Sequence, residues 1–441
     1  MTEIRLAADV ASLARDPGPR PALRVSAMAS RLVGSEVLRI AGEVRALVAE
    51  GRPVCDLTVG DFSPRQFPIP DRLREGIRDA LDRGETNYPP SDGLPELREA
   101  VRRLYARELG LDYPLESVLI AGGARPLIYC LYRTLVDPGD RVVYPVPSWN
   151  NNHYAHLNGA IGQPVFCRPE SRFMPTREQL LPLLPGARLL CLNSPLNPAG
   201  TAIDRGLLEG ISEAVVAENE ARTRRGERPL YLMYDHIYWM LTFGGTEHLT
   251  PPRLVPEVAR YTVFVDGISK AFAATGLRVG YAVGPTDLVG RMSAILGHMG
   301  AWGPRPEQVA TAAFLDDAAS LQEWTRGFRH RVESRLERLH RGLQALGARG
   351  LPVESVAPQG AIYLAARFHP FGRRTPDGVV LETNEQVRRY LLESAAFAIV
   401  PFQAFGAIEE DGWFRLSVGA VGEGDIEAAL PRLQAALEAL G

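Results

Sequence analysis

Several features that mark whole classes of protein are scarce in this chain of 441 residues. Its four cysteines lie far apart in apolar surroundings and form no Cys-x-x-Cys pair, so the sequence predicts buried thiols and neither a disulfide framework nor a metal site. No uninterrupted apolar run reaches the roughly 18 residues that a membrane helix needs. The N-terminus also lacks the basic and then apolar pattern of a signal peptide, and we expect a cytoplasmic protein with no membrane partner.

Charge of one sign is not in excess either. The 49 Lys+Arg residues face 52 Asp+Glu residues, and the net charge is -3. Such a balance gives no bulk electrostatic attraction to nucleic acid, which we therefore do not expect as a partner. With 46% hydrophobic residues, a chain of this length is able to bury more than one core.

Lysine is the scarcest of the charged residues. Lys270 is the only lysine, and every other strongly basic residue is arginine. A desolvated ammonium is able to lose its proton and attack a carbonyl, whereas a guanidinium stays protonated. Survival of one lysine by chance on a solvated face is the alternative, and lysine usage alone does not decide between the two.

Short apolar runs alternate with helical patterns from Val118 onward. Gly, Pro, Asp or Asn bound these runs, and most intervals between them have helical periodicity. We therefore expect an α/β fold with three layers, in which helices cover both faces of a mostly parallel sheet. The strands predicted for this sheet are 118–121, 141–146, 188–192, 230–234, 262–265 and 280–283.

A second, smaller α+β domain is predicted around the C-terminal part of the chain. There, a long helical tract from Arg305 to about Gly347 precedes the predicted strands 361–366 and 413–418 and the helices 385–392 and 425–440. Residues 1–25 are expected to form an arm, and helical spacing begins over 28–50. We predict that 26–60 and 306–441 form the small domain and that 61–305 form the large one.

Polar residues and glycines follow several predicted strands. Gly122-Gly123 joins a strand to a helix, and the free N–H groups of such a helix start suit a phosphate, although a plain connector is the common alternative. Asp235 ends another strand, where it is equally a candidate helix cap. Asn197 lies in a proline-rich turn after a third, and Arg278 lies between glycines at the entry to a fourth.

The order and spacing of these segments resemble the class I and II aminotransferases, the fold type I pyridoxal phosphate enzymes of which aspartate aminotransferase is the familiar example. The resemblance runs from roughly Leu57 to Val418. It implies that Lys270 carries the pyridoxal 5'-phosphate as an aldimine and then moves a proton between substrate and cofactor. The remaining roles that it implies are phosphate binding by Ser269, Arg278 and the backbone of Ala124 and Arg125, pairing of the pyridine nitrogen with Asp235, hydrogen bonds to the ring oxygen from Tyr238 and Asn197, and stacking by Trp149.

Two further matches concern the substrate and a second subunit. In Trp413-Phe414-Arg415-Leu416-Ser417, a charge interrupts an apolar strand and must be paired with an anion. The resemblance makes that anion the α-carboxylate of an amino acid, with Gly60 beside it, while a structural ion pair is the alternative. Tyr88 matches a tyrosine that reaches the phosphate of the neighbouring subunit, which implies a homodimer with shared active sites.

Three functions are compatible with these residues. The leading one is an aminotransferase that moves an α-amino group between an amino acid and a 2-oxo acid by a ping-pong mechanism. A lyase, decarboxylase or β/γ-replacement enzyme would use the same cofactor, and the fold does not choose between them. A transcription regulator would need a DNA-binding module, for which the segment before Leu57 is too short and too weakly basic.

Overall fold

The computed structural model describes residues 14–15 and 24–441 of the chain. These residues fall into two compact units, one that ends at Gly34 and one that spans Ser35–Gly441. The first contains the helical turn Ala27–Ser30. The arm predicted at the N-terminus lies almost wholly outside the described residues.

The second unit contains three sheets. The largest has seven strands, the next has four and the smallest has two. In chain order, the strands are β1 (Cys55–Asp56), β2 (Val118–Ala121), β3 (Arg141–Val146), β4 (Ile161–Phe166), β5 (Ala187–Asn193), β6 (Tyr231–Asp235), β7 (Thr262–Gly267), β8 (Gly280–Val283), β9 (Val353–Ser355), β10 (Tyr363–Phe368), β11 (Phe397–Ala398), β12 (Val400–Pro401) and β13 (Trp413–Ser417).

The seven-stranded sheet has the order β2-β8-β7-β6-β5-β3-β4. Only β8 is antiparallel to its neighbours, so the mostly parallel sheet is confirmed. Successive residues of its strands enter different apolar cores: Leu190 and Leu192 face one, while Leu189 and Cys191 face the other. Because side chains alternate across a strand, both faces are covered and the three-layer prediction is confirmed.

The helices fill the intervals between these strands. Pro95–Leu104 and Arg305–Asp316 contribute to the core on one face, and Ala124–Leu135 and Thr286–Met299 to the core on the other. The α-helices of the second unit are Glu36–Ala49, Asp71–Asp82, Pro95–Leu104, Ala124–Leu135, Asn151–Leu157, Arg177–Leu180, Arg205–Arg225, Pro251–Leu254, Ile268–Ala271, Thr286–Met299, Arg305–Asp316, Ala318–Ala348, Asn384–Ala395 and Glu423–Glu438.

A separate apolar core lies around the C-terminal sheets. The four-stranded sheet has the antiparallel order β12-β13-β10-β9, and β1 pairs with β11 in parallel. Side chains from Ala318–Ala348, Asn384–Ala395 and Glu423–Glu438 pack in this core together with residues 55–67. Strands and helices are thus mixed here as expected, and the domain boundaries given above stay a prediction.

Three sequence predictions of helices or strands need correction. The tract from Arg305 is two helices, because Asp317 leaves the helical conformation and its carboxylate caps the second through Ser320. Helical spacing over 28–50 is interrupted after Ser30, and the next helix begins at Glu36 behind Ser35, which has the extended backbone of a helix N-cap. The strand predicted from Ala361 begins at Tyr363, since Ala361 has a φ of 61° and a left-handed residue does not continue a strand.

Five strands were not predicted: β4 of the large sheet and the short strands β1, β9, β11 and β12 of the C-terminal sheets. β4 contains Pro164 within an edge strand that is largely exposed, and proline and glycine disguise such strands. Residues 218–228 are charged and lack apolar periodicity, a pattern that predicts a solvated helix end and loop. Instead, the helix continues to Arg225 and buries Asn219 and Arg222.

All four cysteines are buried and free, as predicted. Burial raises the pKa of Cys55, Cys167 and Cys191 to about 12 and that of Cys130 to about 11. Within the described residues, no helix combines the length and apolarity that crossing a membrane requires.

Asn219 ties the helix Arg205–Arg225 to the start of β6. Its side-chain amide donates to the carbonyl of Leu230 at 2.8 Å and accepts from the N–H of Leu230 at 2.7 Å. Replacing Asn219 with alanine leaves both buried groups unpaired and should lower the free energy of unfolding by about 2 to 4 kcal/mol. Urea denaturation measures this loss. Glu220→Ala, on the exposed side of the same helix, is the control and should change the free energy by no more than about 0.5 kcal/mol.

Candidate active site

Most of the predicted site residues follow the carboxyl ends of neighbouring strands in the large sheet. β6 ends at Asp235, which is in register with Asn193 of β5 and Val265 of β7. Asn197 follows β5 and Lys270 follows β7. Loops after parallel strands meet at one edge of a sheet, which is where α/β proteins bind ligands.

Lys270 lies in the short helix Ile268–Ala271 directly after β7. Its Nζ donates to the carbonyl oxygen of Gly60 at 2.5 Å and lies 5.9 Å from the ring centre of Phe62. Burial lowers the pKa of Lys270 to about 8; Asp61 opposes this shift, and Arg415, Arg125 and Arg278 reinforce it. An appreciable fraction of this amine is therefore neutral and nucleophilic near neutral pH.

Arg415 is a buried cation in the middle of β13, with 1% of its surface exposed. Its guanidinium donates to the carbonyl of Thr58 and to Oδ1 of Asn197, and its Nε has no partner. The rings of Tyr363 and Phe405 lie 4.7 Å from it. Among the residues that the structure describes, no carboxylate forms an ion pair with it, so the structural ion pair considered as the alternative is not found.

A second candidate anion site lies where β2 meets the helix Ala124–Leu135. Arg278 donates to the carbonyls of Gly122 at 2.9 Å and Thr275 at 2.7 Å. The guanidinium approaches Gly123 so closely that a Cβ there would lie 2.0 Å from Nη2. The glycine has a φ of 99° and leaves the helix N-terminus open beside a cation, an arrangement suited to an anion.

Two further polar residues, Ser269 and Arg125, are neighbours of Lys270 in the sequence and of Arg278 in space, respectively. Ser269 is buried immediately before Lys270. The guanidinium of Arg125 lies 5.2 Å from the ring of Trp149 and, together with burial, lowers the pKa of Arg278. Trp149 in turn packs against Phe405 at 6.1 Å between ring centres, so the aromatic side chain extends from the anion site toward Arg415.

Asp235 and Tyr238 complete the ring of polar groups around Lys270. Burial raises the pKa of Asp235 to about 6, although the N–H of Ile237 and the charge of Lys270 oppose the shift. The ring of Tyr238 lies 6.0 Å from Nζ of Lys270. Its hydroxyl lies 2.7 Å from the hydroxyl of Tyr363, and burial raises the pKa of Tyr238 well above its usual value.

Gly60 and Tyr88 have contrasting surroundings. A Cβ at Gly60 would lie 2.7 Å from the hydroxyl of Tyr363 and 3.5 Å from Nη1 of Arg415, so the space beside these groups depends on a residue without a side chain. Tyr88 is 80% exposed and packs edge-on against Trp302. Of the predicted site residues, Tyr88 is therefore the one that this single chain does not bring into the group around Lys270.

Comparison with known proteins agrees with this geometry. The model of the aminotransferase class I and II family matches residues 52–433. This chain belongs to that family. An aspartate aminotransferase of Rhizobium meliloti is 32% identical over 432 residues, which cover 97% of this chain and 98% of the relative. An aspartate/prephenate aminotransferase of Thermus thermophilus is 32% identical over 404 residues, or 90% of this chain and 94% of the relative.

The fold comparison gives the same family. The crystal structure of the Rhizobium meliloti aspartate aminotransferase matches with a TM-score of 0.84 at 31% identity, covering 95% of this chain and 99% of that one. The resemblance inferred from the motifs is thus confirmed. The protein is an aminotransferase, which decides against the lyase and regulator interpretations.

Sequence reading missed three residues of this aminotransferase site. Asp61 receives a hydrogen bond from the hydroxyl of Thr275 at 2.5 Å and is the acid that favours the charged form of Lys270. Tyr363 contacts Tyr238 and Arg415, and Phe405 contacts Arg415 and Trp149. Asp61 directly follows Gly60, which the sequence analysis names, whereas Tyr363 begins β10 and Phe405 ends the 3-10 helix Phe402–Phe405, and neither belongs to a motif given above.

The amine of Lys270 should titrate far below an ordinary lysine. In protein freed of bound carbonyl compounds, we expect a midpoint near pH 8. Because the chain has one lysine, carbon-13-labelled lysine gives a single side-chain signal whose shift reports the midpoint. Asp61→Asn should move it lower, since the carboxylate favours the ammonium. Asp82→Asn, at an exposed helix position, is the control and should leave it unchanged; a midpoint above pH 10 in the unmodified chain would contradict the site description.

Proposed function

We propose that this aminotransferase uses pyridoxal 5'-phosphate bound to Lys270 and transfers the α-amino group of an amino acid to a 2-oxo acid by a ping-pong mechanism. One observation carries the proposal. The only lysine amine of the chain has a lowered pKa within a group of three arginines, Arg125, Arg278 and Arg415, that have no acidic partner among the described residues. Such a group fits ligands that place one anionic group on each side of a nucleophilic amine.

The described residues fit the cofactor group by group. Arg278, Ser269 and the free N–H groups of Ala124 and Arg125 would hold the phosphate. Asp235 would pair with the pyridine nitrogen, Tyr238 and Asn197 would donate to the ring oxygen, and Trp149 would cover the ring face. When bound, the cofactor supplies an electron sink for the charge that develops at the substrate Cα.

Lys270 would act as the base once its amine is released. An amine with a pKa near 8 holds or gives up a proton with little cost at neutral pH, which suits a group that takes the proton from Cα and returns it. Gly60 positions this amine through its carbonyl oxygen. The hydroxyl pair of Tyr238 and Tyr363 fixes the orientation of the tyrosine that would face the ring oxygen.

Arg415 would bind the α-carboxylate of the substrate. A carboxylate supplies the charge that this buried guanidinium lacks, and a planar fork is able to bind both carboxylate oxygens. Asn197 and Thr58 occupy other donors of Arg415 and hold it in place. The absence of a side chain at Gly60 leaves room beside it.

A homodimer with shared sites is part of the proposal. Tyr88 is exposed in the single chain, and such a tyrosine would be free to complete the phosphate site of a second copy. The cytoplasmic location expected from the sequence also stays a prediction.

Loss of the Lys270 amine should abolish turnover. We expect Lys270→Ala to lack both activity and the visible absorbance of a lysine-bound cofactor, because no other side chain of the protein offers a primary amine. Absorbance spectra and a single-turnover assay measure the two losses. In the unmodified enzyme, an amino donor supplied without an acceptor should release one 2-oxo acid per site; activity retained in Lys270→Ala would contradict the proposal.

Arg415→Lys should weaken amino acid binding more than it slows the chemistry. The ammonium keeps the charge but loses the fork, and the lost charge-assisted hydrogen bond corresponds to about 1.5 to 3 kcal/mol, or at least a tenfold rise in KM. Steady-state kinetics with a range of donors measure this change. Arg367→Lys, on the adjacent strand β10, replaces a cation that pairs with exposed Glu354 and is the control. Equal KM values for the two variants would exclude the proposed role.

A further inference from the structure

A cavity of about 780 Å³ lies apart from the residues around Lys270. The loop from Trp239 to Thr250 forms one wall, and residues at intervals of four along one face of the helix Ala318–Ala348 form another. Arg253 and Leu254 of the helix Pro251–Leu254 contribute to the lining. This volume is within the roughly 300 to 1,000 Å³ of small-molecule sites. We refer to it as the Trp239 cavity.

Arginines in excess of acids give the Trp239 cavity a positive character. Two of its acids are already paired: Glu247 with Arg205 at 3.2 Å and Glu108 with Arg107 at 2.7 Å.

Three further arginines of the lining, Arg253, Arg326 and Arg329, form no ion pair with any described carboxylate. Arg253 and Arg329 donate only to backbone carbonyls. The one remaining acid is Glu333, which accepts a hydrogen bond from the N–H of Gly244 at 3.1 Å. Two positive charges thus stay uncompensated.

A buried hydroxyl without a partner lies in the same wall. Thr250 has 2% of its surface exposed, and its Oγ1 makes no hydrogen bond within the described part of the chain. A buried hydroxyl is normally paired, because loss of its hydrogen bonds to water is otherwise uncompensated. The backbone carbonyl of Thr250 accepts from the N–H of Arg253, whereas the hydroxyl has no such partner.

Part of the lining is apolar. Trp239, Leu249, Leu254 and Leu321 present an aromatic and aliphatic surface next to the arginines. Trp239 is fixed by a hydrogen bond of 2.8 Å from its Nε1 to Asp266 of β7. Small-molecule sites combine such a surface with a few polar groups.

We propose that the Trp239 cavity binds a small organic anion, a carboxylate or phosphate ester with an apolar body. Arg253 and Arg329 bind the anionic group, the hydroxyl of Thr250 adds a hydrogen bond, and the apolar body packs against Trp239. A ligand in this cavity contacts the loop that begins after Asp235 and Tyr238, and it lies one hydrogen bond from the strand that leads to Lys270. This site is independent of the function proposed above.

Calorimetric titration of the full-length enzyme saturated with cofactor tests the site. Phenyl phosphate and phenylacetate are the two anionic probes, and whichever binds more tightly identifies the anion class; benzyl alcohol is the uncharged probe. We expect Arg253→Gln and Arg329→Gln each to weaken binding of the tighter anion by about tenfold, the effect of losing one charge-assisted hydrogen bond. Arg260 is an exposed arginine of the neighbouring 3-10 helix Pro256–Tyr261 and lies outside the cavity. Arg260→Gln is therefore the matched control and should bind like the unmodified enzyme.

Thr250→Val separates the site from general stability. Valine removes a hydroxyl that has no internal partner, so Tm without probe should stay the same or rise, whereas the rise in Tm on adding the anion should shrink. Equal anion binding in all arginine variants would overturn the proposal, because the anions would then bind elsewhere. Absence of binding to the unmodified enzyme, or equal binding of benzyl alcohol, would also overturn it.

Discussion

Burial of the Lys270 amine beside cations that lack an acidic partner is the constraint on which the candidate active site depends. Three guanidinium groups approach the only amine of the chain, and each lacks an acidic partner among the described residues. Burial and these neighbours make the ammonium costly, so the amine has a pKa near 8. The same arrangement leaves positive charge to be neutralised by ligands. Nucleophilicity and anion binding thus have one physical cause.

The fold brings these groups together from distant parts of the sequence. Five parallel strands of the large sheet, β2, β3, β5, β6 and β7, end at the same edge and deliver the glycine turn, Trp149, Asn197, Asp235 and Lys270. Arg415 comes instead from the C-terminal sheet, and Gly60 from the segment between β1 and the helix Asp71–Asp82. A hydrogen bond from Lys270 to Gly60 and one from Arg415 to Asn197 join these regions.

The sequence predicted most strands of the large sheet well because strands buried on both faces are continuous apolar runs with clear boundaries. β3 and β8 agree to the residue with the predicted ranges. The sequence did not predict β4, because an exposed edge strand with proline and glycine has no such pattern. Periodicity reports neither the left-handed backbone at Ala361 nor the cap at Asp317, where the carboxylate bonds Ser320 three residues on.

The site residues divide in the same way. Those within a motif, such as Lys270 and Arg278, are implied by the family resemblance, whereas Asp61, Tyr363 and Phe405 contact the site only through the fold. Tyr88 is exposed in a single chain, and the role proposed for it requires a second copy. Borohydride reduction of the native enzyme followed by peptide mapping tests the central claim most directly. The account predicts a pyridoxyl group on the peptide that contains Lys270, and a native enzyme that carries no vitamin B6 derivative even after soaking with it would contradict the account.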